Sequence, residues 1–241
     1  MENNQQAPEL VSTGDGSFAA VWQSYSQDGE LFDIYFRAFD SSGVPTTSEI
    51  LVNTTTDGQQ IKPSIARLED GSFVVAWQSN HLGASQILYQ KVSQTGQLIG
   101  SNRILSEDDT GSFVNGNEVA LTTLANGSVM ASWDHGGNIY AKALSDDDQE
   151  VPPPPVPHGD LITVSSSEEG ASDWSSIASM PDGGFITVWH DGGGKDGSKA
   201  GVYGRILDSD YQRVGDEFLV NTLTNDFQTK ARVATLSDGT F

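Results

Sequence analysis

Residues 70–79 read DGSFVVAWQS, residues 15–24 read DGSFAAVWQS and residues 182–189 read DGGFITVW. The turn glycines of this phrase stand at Gly16, Gly71, Gly127, Gly183 and Gly239, in steps of 55, 56, 56 and 56 residues. Two places after each comes a large apolar residue: Phe18, Phe73, Val129, Phe185 and Phe241. Six places after the first four come Trp22, Trp77, Trp133 and Trp189. Self-similarity at a fixed period is the mark of a repeat architecture.

Each unit resolves into four short apolar stretches. In the second they are PSIARL (63–68), SFVVAW (72–77), ILYQKV (87–92) and SNRIL (101–105). They are rich in residues that favour a pleated, half-buried surface. Asp-Gly between the first two predicts a two-residue hairpin turn, since glycine accepts positive φ. SQTGQ between the last two predicts a second tight turn. Four antiparallel strands per repeat predict an all-β, β-propeller-like array of four-stranded antiparallel blades. A blade cannot bury both of its apolar faces alone. Phe18, Trp22, Phe73, Trp77, Trp133, Phe185 and Trp189 are therefore expected to pack between neighbouring blades, as repeated bricks and not as a repeated active motif.

The units span approximately 5–53, 54–105, 106–162 and 163–220, with a partial fifth at 221–241. The chain stops within that fifth unit, which predicts that it belongs to a longer array. The third unit is compressed between Trp133 and Tyr140, and the insertion DDDQEVPPPPVPHGD (146–160) restores its period. Its prolines favour an extended segment without ladder donors. A second regularity follows the tryptophans: Tyr35, Tyr89, Tyr140 and Tyr203 each have a cation two places on, at Arg37, Lys91, Lys142 and Arg205. Either a repeated salt bridge or a basic ring lining a channel accounts for it.

Composition narrows the partners. Twelve basic against 33 acidic residues leave a net charge of −21, which disfavours nucleic acid and anionic lipid. There is no cysteine, so disulfides, thiolate catalysis and cysteine-ligated zinc are all excluded. The opening MENNQQAPEL has no basic and apolar regions of a signal peptide, and no apolar run approaches the length of a membrane helix.

The phrases DGSFVVAWQS, IYFRAFDSSGVP and ILVNTTTDGQQIKPSIARLEDGSF resemble repeats of similar length in very large secreted bacterial proteins of the RTX, hemolysin-type calcium-binding kind. The resemblance covers nearly the whole chain, best over residues 5–93 and 176–241. It implies a propeller-like array within a secreted, adhesin-like protein at the bacterial surface, joined to further repeats of the same chain. The calcium-binding nonapeptide of such proteins is absent, so calcium has to be argued from the residues themselves.

In a four-strand meander the short turns share one end of the blade and the long connections share the other. Loops presented by a rigid scaffold are where function concentrates. The long-loop end carries Asp28, Asp33, Asp57, Glu107, Asp108, Asp109, Asp134, Glu168, Glu169, Asp173, Asp191, Asp196 and Asp226. Hard cations take six to eight oxygens from carboxylates and loop carbonyls. Asp28 with Asp33, and Asp191 with Asp196, share a spacing of five with glycines between, and are the candidate calcium ligands. The alternative is a solvated acidic loop. Tyr25, Phe113 and Trp174 are candidates for stacking on a sugar, with His135 and His190 beside them; His81 lies on the same end.

Propellers also host sialidases and other glycosidases, which need paired carboxylates, or a tyrosine with several arginines. The chain has six arginines, and no stretch stands out as a catalytic set. The expected function is a non-catalytic extracellular binding module engaging a surface glycan or protein through the acidic long-loop end. A glycosidase-type propeller is the alternative, and a structural spacer is a third.

Overall fold

The computed structural model describes residues 4–25, 31–106, 116–144, 161–165, 172–197, 199–236 and 238–241. The proline-rich stretch 146–160, Asp28 and Phe113 lie outside them. Four antiparallel four-stranded sheets follow one another along the chain, and in each the strands lie side by side in sequence order. The first holds β1 (Gln5–Ser12), β2 (Phe18–Tyr25), β3 (Phe32–Phe39) and β4 (Ile50–Leu51). The second holds β5 (Gln60–Arg67), β6 (Phe73–Ser79), β7 (Gln86–Val92) and β8 (Leu98–Ile104). The third holds β9 (Asn117–Thr123), β10 (Val129–His135), β11 (Asn138–Leu144) and β12 (Ile162–Thr163). The fourth holds β13 (Ser172–Ser179), β14 (Phe185–Asp191), β15 (Gly201–Leu207) and β16 (Arg213–Leu219). The fold is all-β and its sheets are propeller-type blades. Among the described residues no helix is long and apolar enough to cross a membrane.

The chain forms two compact units. One contains the first two sheets and runs on through Val119; the other runs from Ala120 through the last two sheets. In the first unit, side chains alternate along β6, so Phe73, Val75 and Trp77 share one face. That face packs on Ala19, Val21, Ile34, Phe36 and Ala38 of the preceding sheet, with the Phe36 and Phe73 rings 5.3 Å apart. In the second unit Phe185, Trp189, Tyr203 and Leu207 pack in the same way on Leu124, Met130, Ile139 and Ala141. The opposite face of the fourth sheet, with Ala178, Ile186, Val188 and Val202, is covered by Ala231 and Val233 of the final segment.

Trp77, Trp133 and Trp189 are fully buried. Trp22 and Phe18 are only half-buried, contrary to expectation. Among the described residues no sheet covers the tryptophan face of the first sheet as Ala19, Val21, Ile34 and Phe36 cover that of the second. The rings there cover one another, Phe18 stacking on Phe39 at 4.9 Å and Trp22 on Tyr35 at 6.3 Å.

The hairpin turn also differs from the expected two-residue form. Gly71 N–H donates to Leu68 O at 3.0 Å and Leu68 N–H to Ser72 O at 2.8 Å. This is a three-residue loop, a type I turn closed by a left-handed glycine, with Gly71 at φ 85°. Asp70 Oδ1 accepts the Ser72 N–H at 2.8 Å and the Ser72 hydroxyl at 2.6 Å. The turn aspartate is thus a clamp. The second residue after each fourth strand is another. Asn53, Ser106, Ser165 and Asn221 accept the backbone N–H of Ile34, Ile87, Ile139 and Val202 at 2.7–3.0 Å.

Of the four cations after the tyrosines, two have partners that settle their role. Arg37 pairs with Glu49 at 3.6 Å and Arg205 with Glu217 at 3.5 Å, both beside the third strand of the same sheet. These are salt bridges within a blade.

Candidate functional site

Nine residues before each turn glycine stands Ala7, Lys62, Glu118, Trp174 or Lys230. All five adopt left-handed backbone, with φ of 49°, 53°, 45°, 49° and 58°. Three of them sit at a β-bulge, where the first strand slips register against the second: between Gln6 and Glu9, Ile61 and Ser64, and Asp173 and Ser176. A bulge re-aims a side chain, and a non-glycine residue held in this region costs about 1–3 kcal/mol. The period locates the position in the sequence, but the residue types do not reveal it, because they share no chemistry.

In the first unit the bulge side chains Lys62 and Glu118 form an ion pair. The Lys62 N–H is held by Gln23 Oε1 at 2.7 Å. In the second unit, at the long-loop end of the fourth sheet, the position holds Trp174 and Lys230. The Lys230 ammonium lies 5.2 Å from the centre of the Trp174 indole. His190 lies 5.4 Å from the same indole, ring to ring. Asp173 and His190 face each other across β13 and β14, and Nδ1 of His190 is hydrogen-bonded to the Asp173 carboxylate. The Nε2 atom is buried and has no hydrogen-bond partner among the described residues. Trp174 is half-buried, so part of it faces solvent.

Beside it lies an ionic cluster built on one buried carboxylate. Asp191 is completely buried; its Oδ1 accepts the Gly193 N–H at 2.9 Å, and its Oδ2 meets Ser172 Oγ at 3.3 Å and Lys195 Nζ at 2.9 Å. Lys195 also reaches Glu217 at 2.8 Å and lies 5.4 Å from the Tyr203 ring centre. Burial pulls the Lys195 pKa down, but hydrogen bonds to Glu217 and Asp191 outweigh it and leave it above the ordinary lysine value. Burial, with the charges of Asp196 and Asp191, raises the Tyr203 phenol. Burial lowers Arg205.

The structure brings two of the sequence candidates together, Trp174 and His190. Tyr25, at the end of β2, meets the edge of Phe32 at 5.2 Å. His135 packs on Tyr140 at 6.3 Å. The carboxylates with matching spacing occupy different places in their sheets: Asp33 near the start of the third strand, Asp191 at the end of the second. Asp33 is buried and accepts the Asn53 amide at 2.6 Å. Asp196 lies beside Gly201. Among the described residues no three histidine or carboxylate side chains converge as a metal site.

No family model matches the chain and no curated protein matches it in sequence. Solved structures do match in fold. A NanB sialidase from Streptococcus pneumoniae superposes with a TM-score of 0.68 at 9% identity, over 97% of this chain and 54% of the sialidase. A glycosyl hydrolase from Bacteroides ovatus gives 0.56 at 9% identity, over 89% of this chain and 70% of that one. An α-L-arabinofuranosidase from Podospora anserina, in complex with cellotriose, gives 0.54 at 13% identity, over 96% and 72%. At these identities the likeness is one of fold: this chain is built like glycoside-hydrolase and sialidase propellers, and function has to come from the site.

Proposed function

We propose that the chain is a non-catalytic glycan-binding module, working outside the cell as part of a larger adhesin-like protein, and that it engages its ligand at the long-loop end of the fourth sheet. The observation that carries this reading is Trp174, a half-exposed indole held at a strained bulge with His190 and Asp173 supporting it from one side. A rigidly presented aromatic face with polar neighbours suits a sugar ring, whose C–H face stacks while its hydroxyls hydrogen-bond.

Several carboxylates serve the fold and not a site. A glycosidase acid needs its pKa raised. Asp15, Asp70 and Asp238 are all shifted downward, and all serve turns. Asp191 and Glu217 are each tied to a cation. The adhesin-like setting draws its support from the repeat phrases alone. With Asp33 and Asp191 engaged in internal bonds, the calcium expectation rests on the other loop carboxylates.

A second reading, a glycoside hydrolase, is favoured by the fold likeness and by Lys195, which brings Asp191 and Glu217 within hydrogen-bond reach of one ammonium. An immobilised glycan panel and a set of aryl glycosides, offered to the same protein, separate the two. Saturable binding lost in Trp174→Ala, with no turnover, supports the module. Turnover abolished by Glu217→Gln or Asp191→Asn in a folded variant overturns it.

A further inference from the structure

Lys230 is one of only 12 basic residues in a chain of net charge −21. Arg37, Lys62, Lys195, Lys199 and Arg205 each pair with a carboxylate. Among the described residues no carboxylate pairs with Lys230; its ammonium meets the Trp174 ring instead. Both residues hold left-handed backbone, at φ 49° and 58°. Glycine adopts that backbone without penalty, and the chain has 26 glycines, yet none stands at the described bulge positions. The side chains are therefore retained against strain, on one end of the second unit.

The segment bearing Lys230 is firmly seated. Gln228 N–H donates to Ala200 O at 3.2 Å and Val233 N–H to Ser176 Oγ at 3.2 Å, while Ala231 and Val233 pack on Ile186 and Val188. The Lys230 backbone is thus fixed on both sides, and its flexible side chain presents a cation beside an aromatic face.

We propose that Trp174 and Lys230 form one subsite for an acidic saccharide, with the sugar ring on the indole and its carboxylate or sulfate on the ammonium. This rests on the glycan-binding reading above and narrows it to a ligand class. A charge-assisted hydrogen bond from lysine to such an anion is stronger than the cation–π contact it replaces. Charges beyond the screening length are damped at physiological salt, and Asp173, the carboxylate beside the indole, is hydrogen-bonded to His190. Asp173 and His190 act as positioning residues that brace the indole.

The test is calorimetric titration of the protein with three oligosaccharides of equal length: neutral, uronate-bearing and sulfated. The unmodified protein is expected to bind an acidic form more tightly than the neutral one, and the two acidic arms tell carboxylate from sulfate. Lys230→Gln removes the charge and keeps a polar side chain one atom shorter; it should lower acidic-ligand affinity about tenfold and leave neutral-ligand affinity unchanged. Trp174→Ala should abolish both, and Lys62→Gln, in the other unit, should change neither. Melting curves of each variant confirm folding. Equal affinity for neutral and acidic ligands, or an unchanged affinity in Lys230→Gln, overturns the proposal and leaves the glycan-binding module standing. No binding of any saccharide overturns both.

Discussion

The side-chain amide of Asn53 donates to the buried carboxylate of Asp33 at 2.6 Å while its carbonyl accepts the Ile34 N–H at 2.7 Å. One side chain thus satisfies a buried charge and an otherwise unpaired backbone donor. Ser106 and Ser165 perform only the second task, and the residues matching Asp33 in their sheets, Gln86 and Asn138, carry no charge. Asn53→Ala should therefore destabilise the protein by about 2–3 kcal/mol, since the Ile34 N–H is left buried and unsatisfied and the buried Asp33 carboxylate loses a hydrogen bond. Asp33→Asn combined with Asn53→Ser should recover much of the loss by copying the third sheet. Urea denaturation of the three proteins measures this, and equal midpoints for the single and the double variant would sink the idea.

The Trp77 indole N–H donates to Gln60 Oε1 at 2.7 Å, whereas those of Trp133 and Trp189 have no partner among the described residues. Gly116 and Ser172 stand where Gln60 does, one repeat on each time, and neither supplies the long acceptor. Trp77→Phe should cost about 1 kcal/mol more than Trp189→Phe, because it alone strands a buried acceptor. Chemical denaturation of both variants checks the difference. Trp→Ala at either site should cost about 3–5 kcal/mol, dominated by the cavity.

Ala7 is exposed and has the smallest side chain of the five bulge residues, so it isolates the backbone strain. Ala7→Gly should raise stability by about 0.5–1 kcal/mol, the left-handed penalty exceeding the extra entropy of glycine in the unfolded chain. A lower melting temperature would show that the bulge holds no strain. At Trp174 the same substitution should remove ligand binding.

Acid should loosen the hairpin turns before it reaches the core. Hydrogen bonds from Thr13 and Ser17 hold the Asp15 pKa at about 2. Asp70 is lowered by the Ser72 hydroxyl and N–H, and Asp238 by the Thr240 hydroxyl and N–H. A carboxyl with a depressed folded pKa contributes stability above its unfolded value, near 4, and loses it as pH falls through the folded value. The melting temperature should decline between about pH 4 and 2, and Asp70→Asn should make that decline shallower. An identical slope in the variant would assign the acid sensitivity elsewhere.

The chain by itself determined the brick. Glycine and tryptophan at a constant step have one physical cause, a hairpin repeated with an aromatic facing the next sheet, and local turn chemistry and alternation are written in adjacent residues. Asp70-Gly71, Phe73 and Trp77 could be assigned without coordinates for that reason. Trp174 and His190 were also legible, as polar and aromatic exceptions on the long-loop end. What only the tertiary structure decided was pairing across a whole repeat. Lys230 lies 56 positions from Trp174, and their meeting depends on a bulge whose signature is a backbone angle, open in principle to any residue type. Burial was equally out of reach: Asp33 and Asp191 look like free loop carboxylates in sequence, and become structural once Asn53 and Lys195 are folded onto them. Trp22 and Trp77 are the same letter in the same phrase, and only the packing of the first sheet on the second makes Trp77 core while Trp22 stays half-buried.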